Sequence, residues 1–174
     1  MGASSFAWAG QRANYPVPPK TENRLFYLQR STNPNTVVYD ANLLKNGKLN
    51  SERPVEIYWL RYNTNGERRA LNFAERNFAY GLTFEPINSG KYYIIKLMAY
   101  AERTIRISVS KEGKAEAHTQ IKGKQARLKN IYIDVEGSGF WSSVNYIELT
   151  GMDVVSGKKI SERFVPESVE SDWF

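Results

Sequence analysis

Residues 55–80 read VEIYWLRYNTNGERRALNFAERNFAY, and the change of period inside this stretch decides the architecture. The opening residues alternate, with Val55, Ile57, Trp59 and Arg61 on one face and Glu56, Tyr58, Leu60 and Tyr62 on the other. Period two marks a strand, and apolar residues on both faces imply that the strand is covered from both sides. From Thr64 the pattern switches. Thr64 and Glu67 have the spacing of a capping box, in which the hydroxyl accepts the Glu67 amide and the carboxylate returns to the Thr64 amide. Ala70, Leu71, Phe73, Ala74, Asn77, Phe78 and Ala79 then recur at three- and four-residue spacings, and Gly81 is placed to end the run. One α-helix of about four turns is expected near residues 66–80, with Arg68, Arg69, Glu75 and Arg76 turned to solvent.

Working outward, the rest of the chain keeps period two. Arg24 to Arg30 and Thr36 to Asp40 flank the turn-forming Ser31-Thr32-Asn33-Pro34-Asn35 and read as a hairpin. After Gly81 come strand patterns over 82–87, 91–100, 104–110, 115–121, 125–136, 144–155 and 158–165, each link short enough for antiparallel neighbours. The expected fold is mainly β: a single antiparallel β-sandwich or half-barrel of about nine or ten strands with one inserted helix. Its domain spans residues 15–166. Pro16, Pro18 and Pro19 give it an extended lead-in that cannot join a sheet interior, and 167–174 form an acidic tail ending in Trp173-Phe174.

Composition narrows the chemistry. At 174 residues, with 41% apolar and 24% charged residues, the chain has the makeup of one globular domain. No cysteine is present, which removes disulfides, thiolate metal sites and cysteine nucleophiles. No apolar run reaches the roughly 18–20 residues of a membrane-spanning helix. The net charge of +6 steers anions toward the surface without defining a site. Ala7-Trp8-Ala9 before Gly10 has the small-x-small form of a signal-peptidase site, so residues 1–14 read as a signal remnant or disordered lead, and the protein as exported, periplasmic or extracellular.

Few side chains remain for catalysis. His118 is the only imidazole, and alternation puts it with Glu116, Gln120 and Lys122 on the polar face of its strand. Asp134 and Glu148 are the leading carboxylates for a glycan hydrolase, the alternative reading, although sequence does not set their separation. No interleaved Asp/Asn loop points to a metal, and Gly137-Ser138-Gly139-Phe140-Trp141 lacks the lysine and helix of a phosphate-binding loop. No cofactor is expected.

Binding is better supplied. Arg61 follows Val55, Ile57 and Trp59 on one face, so it is either paired, at a pocket mouth, or at the strand end reaching solvent. Arg61, Trp59, Tyr58, Tyr93 and Trp141 make up the expected ligand-binding set, since amphipathic rings on successive strands suit a held ligand. Arg103, Arg106, Lys111, Lys114, Lys122, Lys124, Arg127 and Lys129 should gather on adjacent strands into a basic face. No aromatic residue interleaves between Arg103 and Lys129, so no specific nucleic-acid partner is expected.

Several stretches carry a resemblance: Pro16-Val17-Pro18, NRLFYLQRSTNPNT (23–36), VEIYWLRY (55–62), FAYG (78–81), the segment 133–141 and YIELTG (146–151). In this order they resemble the landmarks of a largely bacterial family, domain of unknown function 4833, from about Tyr15 to Pro166. The resemblance implies a single domain and export, and brings no activity, cofactor or catalytic residue. The expected protein is a non-catalytic binding or envelope-associated module for a small amphipathic or anionic ligand, its partner a small molecule or envelope component. A third reading is a structural partner in a surface assembly, using an exposed strand edge.

Overall fold

A computed structural model describes residues 15–137 and 143–166. The Ala7-Trp8-Ala9 motif, Ser138 to Trp141 and the tail 167–174 lie outside the described residues. The described residues form eleven strands: β1 (Arg24–Arg30), β2 (Asn33–Ala41), β3 (Val55–Arg61), β4 (Glu67–Ala70), β5 (Leu82–Ile87), β6 (Tyr92–Leu97), β7 (Tyr100–Val109), β8 (Ala115–Ile121), β9 (Lys124–Glu136), β10 (Ser143–Asp153) and β11 (Lys159–Phe164).

Two antiparallel meanders, β1 to β4 and β5 to β11, meet at β9. This strand of 13 residues is long enough to serve two neighbours along one edge. Its first residues pair with β8, His118 opposite Arg127, and residues further on pair with β1, Tyr27 opposite Asn130. β10 covers the other edge from Ala126 to Glu136. The β1–β9 pairing is parallel, so the sheet is mixed where wholly antiparallel pairing was expected. The sheet curls into a half-barrel, the expected alternative to a sandwich, around one core that joins Phe26, Tyr39 and Trp59 of the first meander to Ile95, Ile107 and Leu128 of the second.

Close approach along β9–β10 requires a small residue at one point. Gly151 sits at a register shift in β10, where a Cβ would come within 2.5 Å of the Arg127 carbonyl oxygen.

The helix differs most from expectation. Glu67 to Ala70 pair with β3, Arg61 opposite Glu67 and Tyr58 opposite Ala70, so the start of the expected helix is an edge strand and the eleventh strand of the count. A true capping box stands at Asn72 and Glu75: Asn72 Oδ1 accepts the Glu75 amide at 2.8 Å, and Glu75 Oε2 accepts the Asn72 amide at 2.8 Å. It opens a short helical turn, π-wound over Glu75–Ala79 and closed by the Tyr80 amide on the Glu75 carbonyl. Leu71 and Tyr80 anchor it in the core, while Phe73 and Phe78 face solvent.

The proline-rich lead is a strap over the outer face of β1 and β2. Pro18 is buried, Gln29 Nε2 donates to the Pro16 carbonyl, and Arg24 donates to that of Pro19. Beneath it lies a polar network: Asp40 accepts from Arg24 Nε at 2.6 Å and from the Tyr58 hydroxyl at 2.7 Å. Lacking amide donors at its prolines, the segment packs on the sheet face and leaves the ladder to others.

Candidate functional site

The expected binding set does not converge. Trp59 is buried against Tyr80, ring centroids 4.9 Å apart, and Tyr93 is buried in the core from β6. Tyr58 points to the opposite face of β3 and is engaged with Asp40. Arg61 lies at the strand end, where it reaches Glu67 at 3.4 Å with a third of its side chain exposed. Trp141 is outside the described residues.

The two carboxylates of the hydrolase reading lie on neighbouring strands, with Asp134 opposite Tyr146 and Glu148 opposite Tyr132. Each has a partner. Glu148 accepts from Arg163 Nη2 at 3.0 Å, and Asp134 accepts from Asn145 Nδ2 at 3.0 Å.

A groove lies elsewhere, on the outer face of β6 to β9. Register explains it. Ile94 on β6 pairs with Arg106 on β7, Arg106 with His118 on β8, and His118 with Arg127 on β9, so these four side chains form one row across four strands. Directly paired residues share a face, and the opposite face carries the core residues Ile105, Ile107, Ala117 and Leu128. The row opens into a groove of ≈ 670 Å³, with Arg103, Arg106 and His118 supplying charge and Ile94 and Val154 supplying apolar wall. Thr104, Gln120 and Gln125 add hydrogen-bonding groups, and Glu102 is the acid on its lining. A smaller cleft of ≈ 390 Å³ follows along β9, where Lys129 and Lys159 face Tyr27 and Gln29.

His118 is on the polar face as expected, yet its side chain is only 13% exposed. Its Nε2 is 3.5 Å from Glu116 Oε2, while Nδ1 is buried without a hydrogen-bond partner. Burial holds the imidazole below its ordinary pKa; Glu116 opposes this, and Arg106, Arg127 and Lys129 reinforce it. Glu116 is shared, because Arg127 Nη1 donates to its other oxygen at 3.1 Å. Arg106 makes no ion pair among the described residues, and its guanidinium lies 5.5 Å from the Tyr92 ring centroid. Arg103 lies 5.1 Å over Phe164 and donates to the Gln120 carbonyl at 2.5 Å.

Aromatics therefore do reach the basic face. They come from β6, just before residues 103–129, and from β11, well after them, which is why the interval between Arg103 and Lys129 itself reads as ring-free. Alternation places each side chain on a face but does not show which strands lie alongside, so the row itself escapes the sequence.

Among the described residues there is no group of three or more His, Cys, Asp or Glu able to hold a metal, and no helix is long and apolar enough to cross a membrane. A family model described as Domain of unknown function (DUF4833) matches residues 26–163. No curated protein and no solved structure matches the chain.

Proposed function

The chain belongs to the family Domain of unknown function (DUF4833), and from that premise we propose that it is a non-catalytic binding module whose β6–β9 groove takes a small amphipathic anion. The observation that carries this reading is Arg106 beside His118 on the groove wall, with Arg106 lacking a carboxylate partner among the described residues. An anionic head would satisfy Arg106 and the buried face of His118, and an apolar body would lie against Ile94 and Val154. The groove volume falls within the range of small-molecule sites.

The chemistry supports holding over turnover. Among the described residues His118 has a carboxylate beside it but no hydroxyl nucleophile in hydrogen-bond contact, and Glu148 and Asp134 are engaged outside the groove.

Dodecyl phosphate, which has both an anionic head and an apolar tail, is the probe. Isothermal titration should give saturable 1:1 binding in which the ratio of wild-type to His118→Gln affinity, which cancels the titration of the probe's own phosphate, grows as pH falls through the range just below the ordinary histidine value. The sign follows from linkage: the free protein holds His118 neutral against its cationic neighbours, and a bound anion favours the imidazolium, so binding takes up a proton. No saturable binding, or a ratio that stays flat with pH, contradicts the reading.

A further inference from the structure

We propose that the turn carrying Phe73 and Phe78 is a wedge that docks the protein on an anionic lipid surface. Phe73 is 77% exposed and Phe78 75%, the two most exposed aromatic side chains among the described residues. A continuous α-helix would separate residues five apart by well over a quarter turn. Phe73 opens the turn in its α-wound start and Phe78 lies in the i→i+5 segment Glu75–Ala79, closed by the Tyr80 amide on the Glu75 carbonyl at 2.7 Å, and this wider winding narrows the angle between the two rings below that of a continuous α-helix. Met98 adds to the apolar surface at the same end: its amide bonds the Gly81 carbonyl, and its side chain is 44% exposed.

The presentation is built. Asn72 and Glu75 cap each other, Arg69 Nη2 grips Glu75 Oε1 at 2.6 Å, and the Tyr39 hydroxyl holds the Tyr80 carbonyl at 2.8 Å. Gly81 lets the chain close tightly, since a Cβ there would fall 1.7 Å from the Arg76 carbonyl oxygen. Burial pushes the Glu75 carboxyl up, but the Asn72 amide and Arg69 outweigh it and hold it below the usual range, so the clamp stays ionised at neutral pH. Two phenylalanines fixed outward on a braced turn are costly to keep in water unless something covers them.

Charge selects the occupant. Glu75 is spent on Arg69 and Glu56 on Arg68, whereas Arg76, between the two phenylalanines, has no ion pair among the described residues. A second copy docked by two-fold symmetry would bring Arg76 toward its own equivalent. A bilayer rich in anionic headgroups meets Arg76 and the +6 net charge while taking the rings into its interface.

Co-sedimentation with phosphatidylcholine vesicles containing about a third phosphatidylglycerol tests this. The wild-type chain should bind them and bind pure phosphatidylcholine vesicles more weakly. Phe73→Ser with Phe78→Ser should lower the partition about a hundredfold, roughly tenfold per ring, and Arg76→Glu should weaken binding to the anionic vesicles only. As a check independent of loss, Phe73→Trp should keep binding and give a blue-shifted emission component on vesicle addition. Arg106→Glu should leave most vesicle binding in place, which separates this wedge from the groove. Equal partition of wild type and the double serine variant, or self-association through the two rings with vesicles ignored, overturns the inference.

Discussion

Arg106→Glu is expected to weaken dodecyl phosphate binding about a hundredfold while leaving the fold intact. Arg106 lies on the outer face in the cross-strand row with His118, and its only described contact of note is the Tyr92 ring at 5.5 Å. Losing an exposed cation–π contact of that kind costs at most about 1 kcal/mol. A charge-assisted hydrogen bond to a bound anion is worth about 1.5–3 kcal/mol, and a glutamate in its place adds repulsion of the ligand. Titration calorimetry beside a thermal melt separates the two effects. Unchanged affinity would remove Arg106 from the site, and a collapsed melting temperature would show that the residue supports the fold.

Asp40→Ala should have the opposite signature: a large loss of stability with the groove residues untouched. Asp40 and Arg24 are each only 12% exposed at the side chain, and the carboxylate satisfies both Arg24 and the Tyr58 hydroxyl. Removing it leaves a mostly buried guanidinium and a buried phenol without their acceptor, at a cost of about 3–5 kcal/mol. For a chain of this length that lowers the melting temperature by about 10 °C. Arg24 also holds the strap through the Pro19 carbonyl, so residues near Pro18 should become accessible to protease in the variant. Asp40→Asn keeps an acceptor for Tyr58 and should lose clearly less. Equal stability of the alanine variant and the parent would mean that the network contributes nothing net.

Strand positions were legible because period two is a local property. The ten strands read from alternation reappear as β1 to β3 and β5 to β11, and Glu67 to Ala70 adds β4. That tetrad, ERRA, is composed of good helix formers, but pairing with β3 from Tyr58 to Arg61 outweighs its propensity. The capping signal was present eight residues further on, as Asn72-x-x-Glu75, and it competed with the equally spaced Thr64-x-x-Glu67. The parallel β1–β9 pairing had no local signature, since it joins residues about a hundred positions apart. For the same reason the groove was only half visible: the basic face was readable from composition, whereas the Ile94–Arg106–His118–Arg127 row depends on the register of three hairpins. Tyr58, Trp59 and Tyr93 read as ligand-holding rings, but rings that alternate on covered strands are equally suited to packing, and here they are buried.

The proposed anion site of the β6–β9 groove rests on Arg106 and His118. Nitrogen NMR of the single imidazole during a dodecyl phosphate titration at mildly acidic pH reads it most directly, because no other histidine contributes. His118 should shift toward the doubly protonated form in step with saturation, its apparent pKa rising from its depressed value. An imidazole spectrum indifferent to saturating ligand would contradict the proposed site.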